Sequence, residues 1–158
     1  MQHINAEFQI NGKTVLMSFP ADITLLDLLR QAGFTEVKAG CHTGQCGACV
    51  VLLDGRPVNS CQVFAASVIG KEITTVAGLG SVHDPHPIQQ AFVDAGAVQC
   101  GFCTPGMILV TAALLAENSL PTEEEIKQAL DGNLCRCTGY VKIIAAVKLA
   151  AERMADHG

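Results

Sequence analysis

Lys38-Ala39-Gly40-Cys41-His42-Thr43-Gly44-Gln45-Cys46-Gly47-Ala48-Cys49 is the stretch on which the reading of this chain turns, with Cys61 beyond it. Four thiols spaced C-x4-C-x2-C…C, three of them in one short loop, form a candidate metal site. Such a loop must turn tightly and aim backbone N–H groups at sulfur, and Gly40, Gly44 and Gly47 permit the φ angles and the close approach. The quartet is complete without His42, which reads as a solvated loop residue.

The remaining four of the eight cysteines are Cys100, Cys103, Cys135 and Cys137, so two quartets use the whole inventory. In a reducing compartment, clustered thiols bind metal more often than they form disulfides. The first spacing is that of plant-type [2Fe-2S] ferredoxins. A structural zinc ribbon presents two C-x2-C knuckles, and this segment has one. A Rieske centre needs two histidines on one iron. In the second quartet, Cys100-Gly101-Phe102-Cys103 precedes a helix start and Cys135-Arg136-Cys137 follows a helix end. A thioredoxin-like dithiol would need a βαβ setting and would leave Cys135 and Cys137 unexplained. The expectation is that the C-x-x-C pair binds one iron and the C-x-C pair the other.

Composition narrows the classes. The chain has 158 residues, 49% hydrophobic and 16% charged, against a usual charged share of about 25%; a disordered acidic tail or polar linker protein is excluded. The net charge of −5 carries no run of like charges, which argues against a nucleic-acid partner. The longest uncharged stretch, Ala95 to Ala116, is interrupted by Gln99, Thr104, Pro105 and glycines, and its continuous apolar part is about half a membrane span. With no basic start leading into an apolar core, and no twin arginine, the expectation is a cytoplasmic protein without a membrane segment.

On the N-terminal side, Ile4, Ala6, Phe8 and Ile10 alternate with polar residues, Asn11-Gly12 supplies a turn, and Val15, Met17 and Phe19 alternate again: a β-hairpin with one buried face. Thr24 with Asp27 resembles a capping box before a leucine-rich helix that Gly33 ends. Val50 to Leu53, the Asp54-Gly55 turn and the segment around Val58 predict a second hairpin, and Glu72 to Val76 a further strand. From Ala77 to Pro87 the composition marks a linker. Beyond it, four helices are expected: one carrying Ile88, Phe92 and Ala95; one capped by Thr104 with Pro105 at its first turn; one opened by Thr122 and Glu125 and closed by Gly132; and a last one carrying Val141, Ile144, Val147, Lys148 and Ala151. The fold class is α+β, divided into residues 1–76, a linker 77–87 and a helical part 88–158. Halves of about 75 residues bury small cores, and metal staples are the usual supplement.

The longer segments Gln99-Cys100-Gly101-Phe102-Cys103-Thr104-Pro105-Gly106 and Gly132-Asn133-Leu134-Cys135-Arg136-Cys137-Thr138-Gly139-Tyr140, taken with the first loop, resemble the iron–sulfur subunit of the xanthine dehydrogenase family of molybdenum hydroxylases. The resemblance covers nearly the whole chain. It implies an N-terminal β-grasp, ferredoxin-like domain followed by a C-terminal four-helix bundle, each holding a [2Fe-2S] cluster. It also implies a large partner subunit with molybdopterin (molybdenum), nearest the helical domain's cluster, and an FAD-binding medium subunit facing the other cluster; a dimer of heterotrimers is one assembly it allows. By motif position Gln99 and Cys137 would lie beside the pterin. Val50 stands where relatives often have Thr. The chain's extent resembles a separate small subunit rather than the fused form.

No dinucleotide fingerprint, P-loop or catalytic triad is present, and all thiols are committed to metal. The chain alone should therefore turn over no substrate and should act as the non-catalytic electron-transfer subunit of an oxidoreductase. The alternatives are a free-standing two-cluster ferredoxin or redox sensor, and a zinc-stapled interaction protein. Arg136, beside two thiols, is the candidate for tuning potential; Lys142 and Lys148 read as surface charges, and His3, His83, His86 and His157 as surface residues without a role. The low charge share fits a surface partly covered by partners.

Overall fold

The structure, a computed structural model, describes residues 3–156; His157 lies outside them. Strands β1 (His3–Ile10) and β2 (Lys13–Pro20) pair antiparallel, Ile4 opposite Phe19 and Ile10 opposite Lys13. Asn11 and Gly12 turn between them with φ of 52° and 72°, the positive values that a two-residue turn between right-twisted strands requires. In α1 (Leu25–Gln31) the Thr24 hydroxyl accepts the Asp27 amide at 3.1 Å, and Leu25, Leu26, Leu28 and Leu29 are all buried. Strands β3 (Val50–Leu53) and β4 (Arg56–Asn59) form the second hairpin. The short β5 (Glu72–Thr74) runs parallel to β1 and antiparallel to β3, which sets the order β2-β1-β5-β3-β4. This is the expected β-grasp sheet with its helix.

The second half holds α2 (Pro87–Asp94), α3 (Thr104–Glu117), α4 (Glu123–Leu130) and α5 (Val141–Asp156). The four expected helices are present among the described residues. An Arg153–Asp94 ion pair at 2.7 Å ties α5 to α2. No helix among the described residues is long and apolar enough to cross a membrane.

Two cores form, and β3 belongs to both. Phe8, Ile10, Phe19, Ile73 and Val51 pack with the α1 leucines, the Phe8 and Phe19 rings 5.5 Å apart. Val50 and Leu52 point the other way and join Ile88, Phe92, Met107, Leu109, Ile126 and Ile143 in the core of the helices. A small sheet covered by one helix does not account for this. The continuous apolar run Val50–Leu53 is what a strand buried on both faces needs, since successive side chains alternate sides.

Three local readings are corrected. The N-cap of α3 is Cys103, not Thr104, and its side chain makes no cap hydrogen bond; Cys103 already has near-helical φ and ψ, so the cysteine loop runs straight into the helix. His86 is not an idle surface residue: it caps α2, its Nδ1 accepting the Ile88 amide at 3.2 Å while the Gln89 side chain accepts the His86 amide at 2.8 Å. The cap of α4 is Asp131, and Gly132 is not among the glycines with positive φ. Val141 opens the last helix, as expected, and is 73% exposed.

Candidate metal centres

Both quartets form at places where regular structure stops. The first loop runs from the end of α1 to the start of β3, and Cys61 lies in a short 3-10 turn after β4. Cys49 and Cys61 are buried, while Cys41 and Cys46 are half-buried. The second quartet is set by the segment before α3 and the loop between α4 and α5; Cys103 and Cys135 are half-buried, and Cys100 and Cys137 are exposed. Gln99 is exposed beside Cys100.

All eight thiols are free, and they stand in pairs. Cys41 Sγ accepts the amides of Thr43 and Cys46, each at 3.4 Å. The Cys61 thiol stands close enough to Cys49 to perturb the ionisation of Cys49, and Cys103 and Cys135 perturb each other. Cys100 Sγ and Cys137 Sγ are 3.6 Å apart, far longer than a disulfide at about 2.05 Å and near the roughly 3.8 Å that two thiolates span on one tetrahedral metal with bonds of about 2.3 Å. The expectation joined Cys100 with Cys103 and Cys135 with Cys137; in the structure the near neighbours of the second quartet run between the two segments. The reason is topological, because the segments approach side by side and each sulfur finds its partner across the gap.

Hydrogen bonding and burial divide the thiols. Bonds from the Thr43 hydroxyl and amide and from the Cys46 amide lower the Cys41 pKa to about 5. Burial raises Cys135, but the Thr138 hydroxyl, 3.0 Å from its sulfur, and the Thr138 amide at 3.4 Å outweigh it and leave the thiol at about 7. Burial pushes Cys49 up to about 11, with the Cys61 thiol adding to it. It pushes Cys103 up to about 12, helped by Cys135. Each quartet thus has one thiol poised to ionise and one that ionises only against a strong positive charge, the donor set expected of a centre that assembles around metal.

The chemistry of these donors fits a binuclear cluster. Eight sulfurs in pairs, two pairs to a quartet, match two irons each held by two thiolates.

Several supporting residues were given no role on sequence grounds. Gln62 donates to the His42 carbonyl at 3.2 Å and to Cys61 Sγ at 3.4 Å, closing the first loop. The Tyr140 hydroxyl accepts the Cys135 amide and donates to the Asn133 carbonyl, both at 2.9 Å. Asn133, 3% exposed, donates through Nδ2 to the Gly47 carbonyl at 3.0 Å. Arg136, singled out for its neighbours, is exposed. His42 is exposed, as expected, with a φ of 57°.

Family comparison agrees with this geometry. Residues 8–72 match the 2Fe-2S iron-sulfur cluster binding domain and residues 75–148 the [2Fe-2S] binding domain. The chain is similar to the nicotinate dehydrogenase small FeS subunit of Eubacterium barkeri, 48% identical over 99% of this chain and 100% of that one. It is similar to the xanthine dehydrogenase iron-sulfur-binding subunit of Escherichia coli O157:H7, 46% identical over 91% of this chain and 92% of that one. Among solved structures, quinoline 2-oxidoreductase from Pseudomonas putida 86 superposes with a TM-score of 0.93 at 39% identity, covering 99% of this chain and 98% of the other. With two cluster-binding regions in this order, and relatives matched along nearly all of their length, the chain belongs to the iron–sulfur subunits of the xanthine dehydrogenase family of molybdenum hydroxylases.

Proposed function

We propose that this chain passes single electrons from a molybdopterin centre on a large partner subunit to FAD on a medium one, as the non-catalytic part of an oxidoreductase complex. Cys41, Cys46, Cys49 and Cys61 would hold one [2Fe-2S] cluster, and Cys100, Cys103, Cys135 and Cys137 the other. When bound, such clusters supply one-electron redox chemistry to a substrate reaction that needs two electrons. The observation that carries this reading is the pairing of the thiols, with the Cys100–Cys137 sulfurs 3.6 Å apart.

The chain's own groups orient the centres and limit their exposure. Thr43, Cys46 and Thr138 amides donate to cysteine sulfur, bonds that favour the thiolate and adjust its donor strength. The exposed edge formed by Gln99, Cys100 and Cys137 is where the molybdopterin of the large subunit would approach. The division into residues 1–76, 77–87 and 88–158 belongs to the same reading, one cluster to each outer part. The location is cytoplasmic in this reading, and a dimer of heterotrimers is its assembly.

Anaerobic purification tests the proposal. Four irons and four sulfides per chain are expected, that is two for each cluster, falling by half in Cys137→Ser. Flavin and molybdenum subunits should co-purify. Zinc in place of iron would refute the ligation; a soluble monomer active as a general electron carrier would favour the free-standing ferredoxin.

A further inference from the structure

The end of β4 and the 3-10 turn after it bracket the first cysteine loop with side chains. Asn59 Nδ2 donates to the Gly44 carbonyl at 2.9 Å, Ser60 Oγ to the Cys49 carbonyl at 2.7 Å, and Gln62 Nε2 to the His42 carbonyl at 3.2 Å. Gln62 reaches further than the other two. Its Nε2 also lies 3.2 Å from the Cys61 carbonyl and 3.4 Å from Cys61 Sγ, so the two N–H protons of one amide are shared between carbonyls and a ligand sulfur. Among the described residues it is the one side-chain nitrogen that donates to a cysteine sulfur; the other N–H donors to sulfur are the backbone amides of Thr43, Cys46 and Thr138. The side chain is packed against the loop: a Cβ on Gly44, whose φ is 77°, would come within 2.9 Å of Gln62 Cγ.

We propose that Gln62 tunes the reduction potential of the first cluster site, its Nε2–H donating to Cys61 Sγ and favouring the reduced state. This rests on the ligation given under Proposed function. An electron arriving at the first quartet raises the negative charge on its sulfurs, and Cys61, 6% exposed, has little water to answer that charge. A hydrogen bond aimed at the sulfur strengthens as the charge grows, so it stabilises the reduced form more than the oxidised one. One electron enters and no proton is transferred. The backbone donors come with the path of the loop whatever its side chains, whereas residue 62 carries a donor or does not, so a single substitution resets the potential. The competing reading makes Gln62 a clasp that only closes the loop on His42. Asn59 supplies the comparison, because it grips the same loop at Gly44 through a carbonyl and not through a sulfur.

The test is a mediated redox titration of the purified holo-complex followed by EPR, the first quartet's signal being the one that survives in Cys137→Ser. Gln62→Met keeps a straight side chain of similar length without the donor, and Gln62→Ala removes the side chain; Gln62 is exposed, so neither opens a core. Asn59→Ala loosens the loop and leaves the sulfur contact in place. Iron content and both EPR signals are recorded first, so a failed ligation shows itself before any potential is read. The expected result in both Gln62 variants is a fall of at least about threefold in the reduced-to-oxidised ratio of the first site at the native midpoint, a shift of about 28 mV at 59 mV per tenfold for one electron. The second site's potential should stay in place, and so should both potentials in Asn59→Ala. If one Gln62 variant does not load both clusters, the other decides alone; failure of both would make the residue a structural clasp and overturn the proposal. An unmoved or raised first-site potential in a fully loaded Gln62 variant, or an equal fall in Asn59→Ala, overturns it as well.

Discussion

The Tyr140 hydroxyl accepts the backbone amide of Cys135 at 2.9 Å while donating to the Asn133 carbonyl, so one phenol closes the loop that carries both the last two cysteines and Asn133. Tyr140 itself holds a φ of 68°, a left-handed conformation costly for a residue with a Cβ. Tyr140→Phe leaves an amide and a carbonyl without partners, and about 2 kcal/mol of stability should go with them. Urea denaturation measures the loss, and iron content should drop towards the share of the first quartet alone.

Gly47 has a φ of 69°, and a Cβ there would run into the Gly132 carbonyl and the Asn133 side chain. Gly12 has a similar φ of 72° but open space around it. Gly12→Ala should therefore cost about 1 kcal/mol from conformation alone, and Gly47→Ala about 3 kcal/mol once overpacking is added. Denaturation midpoints of the two variants, compared side by side, separate the terms; equal shifts would mean that the contact is soft.

His86 is half-buried, and burial lowers its pKa below the ordinary imidazole value. The unfolded chain then binds the proton at higher pH than the folded one. The stabilisation is full above the unfolded value of about 6.5 and disappears as pH falls through the folded value. Between about pH 7.5 and pH 5.5 the urea midpoint of the native chain should fall more than that of His86→Asn, whose side chain caps without titrating. Parallel pH dependences in the two proteins would contradict this.

Glu123 receives both Lys127 at 2.8 Å and Lys148 at 2.6 Å, and those lysines bring its pKa down to about 2. Its carboxylate, depressed in the folded state, supports the α4–α5 contact above the unfolded carboxylate range of about 4.3, and the support is lost as pH falls through the folded value. The three groups are exposed and screened by salt, so Glu123→Gln should leave stability almost unchanged at physiological ionic strength. Thermal melts at low and high salt check it: a small difference at low salt should vanish at high salt.

Metal removal is the larger perturbation. Cys49, buried, and Cys103, half-buried, are neutral thiols without metal, and the loops carrying them bring no apolar core of their own. Anaerobic chelation should abolish the cooperative unfolding transition seen by circular dichroism, and reconstitution with iron and sulfide should restore it. A metal-free chain with an undiminished transition would show that the cores suffice.

What the sequence discloses is local. Alternation and turn pairs marked both hairpins, and Thr122 with Glu125 marked α4, because each signal lies within a few residues of its effect. The cysteines disclosed their own grouping for the same reason. The unforeseen contacts between the two quartets' loops depend on distant chain. The partner of the Asn133 amide is Gly47, 86 residues away, and nothing near either residue announces it. Cys100 meets Cys137 because two loops arrive side by side, which spacing within a motif cannot express. His86 escaped notice because imidazole is an uncommon cap, although its neutral ring nitrogen accepts an amide as well as an oxygen does.

The strand Val50–Leu53 is a common wall: Val51 lines one chamber, Val50 and Leu52 the other. Neither chamber can be opened without breaching its neighbour. Excising either half would strip a hydrophobic lining bare, so the spacing of the redox centres is insured by the same residues that keep the polypeptide from dissolving into two separate pieces.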